Sequence, residues 1–341
     1  MMQIHCGKIR QLALCLLLLL LFPAGAGCAD TGTQVRIAYS HQGFETESWI
    51  FMYDTLQRLA TENGFELIVR NAEEDPDKQL DDVQDLLAAK VDGIILAPQD
   101  GDTAVGLIAM CNREEIPVGI LNRPPSNLNG HAILGATDNY QIARKTVEYL
   151  ATEALRLHPG KSALILVGDL NDVNAVERRQ GFLDALALHG KDIAPAIQVA
   201  TEWNAATAAS NLEAALDENP EIGMIFASSD FLYPEIERIL SERGLWQKRG
   251  DPGHVVLGGI DGDTTAARLM DEEYVDATGV QMLDLEVTRI VQAMLDAIRN
   301  GNRQPDMREK IQGLVLTQDN LTSRHMDMWG NQIRVKRKDA E

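Results

Sequence analysis

The sequence predicts an α/β fold made of two doubly wound parallel-sheet lobes. Its 341 residues are enough for two domains that each bury a core. Short runs rich in β-branched residues alternate with helical stretches from Val35 onward, and the alternation restarts after Asn139. The strands are apolar almost throughout, as is typical of parallel sheets covered on both faces.

The first set of elements runs from Val35 to Gly135. Apolar residues recur three and four positions apart from Trp49 to Ala60 and again from Leu80 to Leu87, so both stretches are predicted helices. Asn63-Gly64 supplies the expected C-terminal cap of the first. The predicted strands are VRIAY at 35–39, ELIVR at 66–70, GIILA at 93–97, PVGIL at 117–121 and HAILG at 131–135.

The second set follows the same pattern without repeating the sequence. Its predicted strands lie at 162–168, 197–201, 223–228, 255–259 and 276–280, and its helices lie around 140–157, 175–189, 205–218 and 234–243. A last helix at 283–300 and a last strand at 313–317 complete the chain. No linker rich in Pro, Gly or Ser separates the sets, so the connections between the lobes are expected to be short.

Residues 1–27 resemble a secretory signal peptide. Lys8 and Arg10 precede an apolar run at 12–22, which is too short for a membrane span, and small residues follow. Two cleavage modes remain open. The run 24–26 fits an ordinary signal, whereas 25–28 resembles a lipobox that would attach a lipid to Cys28, although Gly25 stands where Leu is usual. We expect a protein of the periplasm or cell envelope.

The charge of the chain excludes one class of partner. The formal net charge is −20, and removal of residues 1–27 takes away two cations and no carboxylate, leaving about −22. Such a surface repels phosphate backbones, so nucleic-acid binding is not expected. The basic run at 334–338 is interpreted as a solvated tail.

Two cysteines remain after removal of the signal. Cys111 falls in a helical apolar pattern and is interpreted as a core residue. A disulfide with Cys28 stays open as an alternative.

The ends of the predicted strands carry polar groups. Ligands of open parallel sheets bind beyond the carboxyl ends of the strands. Nearly every strand here ends in a hydrogen-bonding group, and one ends in tryptophan. Polar groups around an aromatic plate suit a sugar, which has hydroxyls and an apolar ring face. The groups are Ser40-His41, Pro98-Gln99-Asp100, Asn122-Arg123, Gly168-Asp169, Glu202-Trp203-Asn204, Ser228-Ser229-Asp230, Asp261 and Gln281.

Motifs for catalysis and for cofactors are absent from the sequence. The run 101–106 lacks the Lys-Ser/Thr of a phosphate-binding loop, and no GxGxxG, HExxH or GxSxG sequence occurs where it would carry function. The seven histidines are scattered. We therefore expect neither an enzyme, nor a bound metal, nor a cofactor.

Several blocks of the sequence resemble a known family. From Val35 to about Leu321 the chain is similar to the periplasmic solute-binding proteins of the ribose, galactofuranose and arabinose type, which share the fold of LacI-like effector domains. These proteins capture sugars for ABC importers. The similar blocks are VRIAYS, QLDDVQDLLAAKVDGIILAPQDGDTAV, EIPVGILNR, GATDN, ERRQGFLDAL, IFASSD, VVLGGIDGD and VLTQDNL.

The resemblance implies a set of ligand-binding residues. Trp49 and Trp203 match aromatic residues that stack on the sugar ring, and Arg123 matches an arginine that binds ring oxygen and hydroxyls. The implied contacts are Ser40, Trp49, Asn122, Arg123, Trp203, Ser229, Asp261 and Gln281. A secondary group of candidates comprises His41, Glu45, Gln99, Asn174, Arg178 and Asp230.

The departures from the family pattern concern the ligand. Asn122 replaces the usual Asp, which leaves Arg123 without an adjacent counter-charge. The site is therefore expected to tolerate or prefer an acidic ligand. Val176 stands where ribose binders carry an arginine, and Ser229 stands where an Asn is common. Ribose itself is not expected.

The family architecture implies three crossings between lobes, near 138–139, 281–282 and 312–313. The N-terminal lobe would comprise 33–138 and 282–312, the C-terminal lobe 139–281 and 313–330, and 331–341 a tail. The expected function is capture of a sugar or polyol by hinge closure and its delivery to an ABC permease, as a monomer. The alternative is a sensory binding protein that acts on a membrane histidine kinase or chemoreceptor.

Overall fold

The computed structural model describes residues 34–44, 46–125, 127–189 and 194–340. These residues form two six-stranded sheets with helices packed against both faces of each. The prediction of two doubly wound α/β lobes is confirmed. We call the part built on the first sheet the N-terminal lobe and the part built on the second sheet the C-terminal lobe.

The strands and helices follow each other in regular alternation. The strands are β1 (Arg36–His41), β2 (Glu66–Asn71), β3 (Gly93–Ala97), β4 (Val118–Leu121), β5 (Ile133–Thr137), β6 (Ser162–Val167), β7 (Ala194–Ala200), β8 (Ile222–Ala227), β9 (Val256–Asp261), β10 (Ala277–Val280), β11 (Met307–Ile311) and β12 (Leu314–Thr317). The helices are α1 (Glu47–Asn63), α2 (Pro76–Ala88), α3 (Gly101–Arg113), α4 (Asn139–Leu157), α5 (Val173–Ala187), α6 (Ala205–Glu218), α7 (Tyr233–Glu242), α8 (Thr264–Asp271), α9 (Leu283–Arg299), α10 (Leu321–Arg324) and α11 (Trp329–Ala340).

The strand order places a switch point in each sheet. The first sheet has the order β11-β5-β4-β3-β1-β2 and is parallel throughout. The second has the order β12-β10-β9-β8-β6-β7, and only its edge strand β12 runs antiparallel to its neighbour. In both sheets the order reverses beside the first strand, where crevices for ligands form at the carboxyl ends.

The chain passes between the sheets at three points. It leaves the first sheet after β5 and returns after β10, through α9, to form β11. The third passage is short, because β11 ends at Ile311 and β12 begins at Leu314. The lobes are therefore joined by three neighbouring segments, as the hinge of the predicted fold requires.

Successive side chains along each strand point to opposite faces of its sheet. In β1, Ile37 and Tyr39 pack with α1 and α9, whereas Ala38 faces α2 and α3. In β6, Leu164 faces α6 and α7, whereas Ile165 faces α4 and α5. Burial on both faces explains the near-continuous apolar strands of the sequence. Cys111 lies fully buried in the core beneath α3, as predicted.

Two elements depart from the sequence-based expectation. Strand β11 was not predicted, because its residues alternate between exposed and half-buried at the edge of the first sheet. The basic run at 334–338, expected to be a solvated tail, belongs to helix α11. This helix is held by Trp329, which is buried against Phe51 with ring centroids 5.4 Å apart.

Among the residues that the structure describes, no helix combines the length and the apolarity needed to cross a membrane. Residues 1–33, which include the predicted signal peptide and Cys28, lie outside the described residues.

Candidate functional site

A cavity of about 390 Å³ lies where the carboxyl ends of the two sheets face each other. Both lobes contribute to its wall, as expected from the switch points of the two sheets. Ten of the residues predicted from the sequence line it, namely Trp49, Gln99, Asn122, Arg123, Asn174, Arg178, Trp203, Ser229, Asp261 and Gln281. We call this cavity the cleft.

Arg123 reaches the cleft because the chain turns sharply where β4 ends. Asn122 has a positive φ of 64°, and the Arg123 N–H donates to the carbonyl of Leu121 at 2.8 Å. The guanidinium Nη1 donates to the Gln99 carbonyl at 2.8 Å and to the Gln42 side chain. These bonds hold the planar group in one orientation, with its remaining donors available to a ligand.

Asp172 from the C-terminal lobe supplies the counter-charge of Arg123. Its Oδ2 lies 3.1 Å from Arg123 Nε, and both side chains are largely buried. The same residue caps α5, since its Oδ1 accepts from the Asn174 N–H at 2.8 Å. Arg123 thus lacks a counter-charge at the adjacent position, as expected, but the opposite lobe supplies one, which was not predicted from the sequence.

Trp203 forms an aromatic wall of the C-terminal lobe. Its Nε1 donates to Asp172 Oδ2 at 3.1 Å, and its ring lies 6.5 Å from that of Phe231. The backbone of Gly168 approaches the indole so closely that a Cβ there would lie 2.2 Å from the ring. Hydrogen bond and close approach together fix the plane of this indole.

Each lobe places one tryptophan and one arginine together. The guanidinium carbon of Arg123 lies 5.5 Å from the ring centroid of Trp49, and that of Arg178 lies 5.9 Å from the ring centroid of Trp203. Both distances are within cation–π range. Trp49 is almost fully buried and contributes to the core of its lobe as well as to the cleft.

Arg178 organises the polar wall at the end of β9. It donates to the Ser228 carbonyl at 2.6 Å and pairs with Asp261 Oδ1 at 3.3 Å. Ser229 donates to the other oxygen of Asp261. Gln281, in the orientation that satisfies both its amide atoms, donates to Asp261 at 2.9 Å and accepts from Arg178 at 2.9 Å. Burial raises the pKa of Asp261, and the guanidinium opposes that shift.

A chain of amide side chains connects the lobes behind the cleft. Asn139, the first residue of α4, donates to Asn174 Oδ1 at 2.9 Å. Asn174 in turn donates to Asn122 Oδ1 at 3.2 Å. The amide at 122 therefore contacts the opposite lobe.

A buried acid beside Asn122 gives a physical reason for the amide. Burial raises the pKa of Glu286 to about 7, and hydrogen bonds from Thr137 and Asn122 oppose the shift. Glu286 lies in the first turn of α9 and is fully buried. An aspartate at 122 would bring a second carboxylate into this environment, whereas an amide can donate to the first.

Three predicted candidates lie in the core behind the cleft instead of lining it. Ser40 and His41 are fully buried at the end of the central strand β1. His41 packs between the rings of Tyr39 and Phe44, and burial lowers its pKa to about 4. Asp230 accepts from the N–H of Gly262 at 2.7 Å, a structural role. Glu45 lies outside the described residues.

The structure adds lining residues that the strand-end rule missed. Gln42 directly follows β1, which ends at His41, two residues beyond the predicted strand, whereas Asp172 lies five residues after the end of β6. Asp172 did carry a signal, since an Asp two residues before Asn174 at the start of a helical pattern is a typical N-cap. In the described part of the chain, no group of three or more metal-binding side chains is found.

Comparison with known proteins agrees with this architecture. A family model described as "Periplasmic binding protein domain" matches residues 37–302. The ribose import binding protein of Escherichia coli is 25% identical over 237 residues, which cover 69% of this chain and 75% of that protein.

Solved structures resemble the fold at lower identity. An ABC transporter solute-binding protein of Actinobacillus succinogenes with bound D-allose has a TM-score of 0.75 and 22% identity, covering 85% of this chain and all of that one. The binding protein of the arabinose ABC transporter of a Shewanella species, bound to L-arabinofuranose, has a TM-score of 0.75 and 20% identity, covering 89% and 98%. Since the family model spans most of the sequence, the chain belongs to the periplasmic binding protein family.

Proposed function

We propose that this protein captures a sugar or a related polyol in the cleft and delivers it to an ABC importer. The observation that carries the proposal is the pairing of two indoles, Trp49 and Trp203, with polar side chains from both lobes around one cavity. Indole faces suit the C–H surface of a sugar ring, and the polar groups suit its hydroxyls. At about 390 Å³ the cavity is near the lower end of the range for small-molecule sites, which favours a monosaccharide.

Contacts between the lobes support capture by closure. Arg123 pairs with Asp172 across the cleft, and Lys310 in β11 lies 2.5 Å from Glu177 in α5. Residues that touch from opposite lobes define a closed arrangement around the cavity. A ligand that contacts both walls stabilises this arrangement over an open one by its differential affinity.

The relatives favour import over sensing. Among the relatives compared above, one is named for ribose import and two are structures of ABC transporter components. We infer the same setting for this chain, with a membrane permease as partner and the periplasm or cell envelope as location. The basic and apolar pattern of residues 1–27 supports export.

Thermal unfolding and calorimetry against a sugar panel test the proposal. The panel contains D-ribose, D-allose, L-arabinose, D-galactose, D-glucose and myo-inositol. A true ligand at 100-fold its dissociation constant adds about 2.7 kcal/mol to the free energy of unfolding. If no sugar or polyol raises the unfolding temperature, the proposed function is wrong.

A pair of variants tests the assignment of the site. Arg123→Ala should weaken the binding of any confirmed ligand at least tenfold, since it removes buried charged donors from the cleft. Arg58→Ala is the control, because Arg58 lies exposed on α1 and pairs only with Glu62 at 2.9 Å among the described residues. An affinity within threefold of the original protein in Arg123→Ala would contradict the assignment.

A further inference from the structure

Among the described residues, Asp172 is the only carboxylate that contacts both the arginine of the N-terminal lobe and the indole of the C-terminal lobe. Its Oδ2 accepts from Trp203 Nε1 and lies beside Arg123 Nε, both at 3.1 Å. Its Oδ1 is held by the N-terminus of α5 through the Asn174 N–H. The carboxylate is therefore fixed in place, ion-paired with the arginine of one lobe and hydrogen-bonded to an indole of the other.

The position of Asp172 determines what Arg123 can offer to a ligand. An unpaired guanidinium in a half-buried cavity is a strong site for a carboxylate, which it binds with two parallel hydrogen bonds. Here the Nε edge of Arg123 already faces Asp172, and Nη1 donates to Gln99 and Gln42. No described residue accepts from Nη2, so Nη2 can still donate to a ligand. The positive charge of Arg123, however, is already neutralised by Asp172.

A neutral hydroxyl fits this pair better than an acid does. A hydroxyl can accept from the guanidinium and also donate to the carboxylate, whereas an ionised carboxylate can only accept. A ligand carboxylate on Arg123 would lie beside Asp172 and be repelled by it. Such a repulsive element discriminates between ligands as effectively as a new attractive contact.

The rest of the cleft strengthens this preference. Arg178, the second cation, is also neutralised, since Asp261 lies 3.3 Å away. Further carboxylates line the cleft, including Glu74, Asp169 and Glu202, and these have no cationic partner among the residues that the structure describes. The wall therefore carries a net negative charge, which disfavours an anionic ligand.

We propose that Asp172 is a specificity-determining residue that makes the cleft select neutral sugars and reject sugars carrying a carboxylate. The inference rests on the proposed function, since it specifies the substrate class of the same site. It also replaces the expectation of an acidic ligand that the Asn122 substitution suggested.

Matched pairs of probes test the inference by calorimetry. The pairs are D-galactose with D-galacturonate and D-glucose with D-glucuronate, in which the ring is kept and a carboxylate replaces the hydroxymethyl group at C6. The proteins are the original chain, Asp172→Asn and Asp172→Ser, both of which keep a capping side chain at α5. Asp75→Asn is the control, because Asp75 caps α2 through the N–H groups of Asp77 and Lys78, as Asp172 caps α5, and does not line the cleft.

The original protein should bind the neutral member of a pair at least tenfold more tightly than the acid. In either Asp172 variant that ratio should fall fivefold or more in at least one pair, and Asp75→Asn should leave it unchanged. A ratio in the original protein that favours the acid overturns the inference, even if neither variant folds. A change below fivefold in every pair also overturns it and leaves the proposed function intact, whereas failure of all probes to bind overturns both.

Discussion

The carboxylate of Glu286 accepts two hydrogen bonds from Thr137, one from the backbone N–H at 2.7 Å and one from the hydroxyl at 2.5 Å. Thr137 ends β5 directly before the first passage between the lobes, and Glu286 lies in the first turn of α9, directly after the second. The Thr137 hydroxyl also accepts from the Met282 N–H at 3.2 Å. A buried acid thus connects two of the three segments of the hinge.

The buried position of Glu286 predicts a pH dependence of stability. Its pKa rises from the usual 4.5 to about 7, mainly through burial, although hydrogen bonds and the guanidinium of Arg178 oppose the shift. The native state therefore binds more protons than the unfolded state between pH 4.5 and 7. The contribution of Glu286 to the free energy of unfolding is fully present below pH 4.5 and is lost as the pH rises through 7.

Glu286→Gln should remove this decline in the free energy of unfolding. The predicted difference between the two proteins over the interval is on the order of 3 kcal/mol, measured by urea unfolding at pH 4.5 to 8. Burial raises the pKa of Asp263 to about 7 as well. In both proteins, therefore, Asp263 should still make the free energy of unfolding fall as the pH rises. Glu309→Gln, at a half-buried position of the edge strand β11, serves as the control. Equal slopes in Glu286→Gln and the original protein would refute the assignment.

Removal of the Trp203 indole should weaken ligand binding strongly, because the indole forms a wall of the cleft. In Trp203→Ala the dissociation constant of a confirmed ligand should rise roughly 30-fold, equivalent to about 2 kcal/mol. Trp203→Phe should lose less, because it keeps an aromatic face and gives up the hydrogen bond to Asp172.

Trp246→Ala is the matched control for this experiment. Trp246 stacks on Tyr274 with ring centroids 4.7 Å apart and does not line the cleft. Its removal should lower the unfolding temperature and leave the affinity unchanged. If calorimetry found similar affinities for both alanine variants, the indole of Trp203 would not be a ligand contact.

A methyl group at position 168 should disturb the site through Trp203. A Cβ on Gly168 would lie 2.2 Å from Cη2 and Cζ2 of the indole, closer than any stable contact, so the ring must move. Gly168→Ala is expected to weaken binding tenfold or more and to change the tryptophan fluorescence. Gly106→Ala, where no atom lies within 4 Å of the added carbon, should do neither. Unchanged affinity in Gly168→Ala would show that the plane of the indole is unimportant.

Much of the fold follows from local sequence patterns. The strands β1, β3 and β4 are apolar throughout because both faces are covered, and this pattern is readable without tertiary information. Strand β11 carries no such signal, because its outward-facing residues are polar and its pairing with β5 is non-local. Helix α11 was mistaken for a tail since its contact with the body depends on Trp329 and a distant Phe51.

Part of the site was also predictable from the sequence. Asp261 ends β9 and Arg123 lies two residues after β4, so the topology of a parallel sheet suffices to bring them to the cleft. Ser40 was expected at the cleft by the same rule, but β1 extends to His41, so Ser40 lies within the strand and is buried behind the cleft wall. Asp172 lies 49 positions from Arg123, and nothing local to either residue reveals that closure of the lobes pairs them.

A further contact between the lobes involves Glu47, in the first turn of α1. Its Oε2 accepts from the Thr264 N–H at 3.1 Å and from the Thr264 hydroxyl at 2.6 Å, at the N-terminus of α8. Its Oε1 accepts from Arg337 of α11 at 3.0 Å. The carboxylate suits the positive end of α8. These bonds join α1 to elements of the other lobe without involving the ligand.

Glu47→Ala should therefore speed ligand release and leave the cleft itself intact. Loss of about 1 kcal/mol from the closed arrangement raises the dissociation rate roughly fivefold, measured by stopped-flow displacement of a confirmed ligand. Thr264→Val should act in the same direction, and the double variant should add little, because both changes remove one contact. Glu62→Ala, farther along α1 and paired with Arg58, should leave the rate unchanged. Additive effects of Glu47→Ala and Thr264→Val would mean that the two residues act separately, and that the contact between them does not hold the lobes closed.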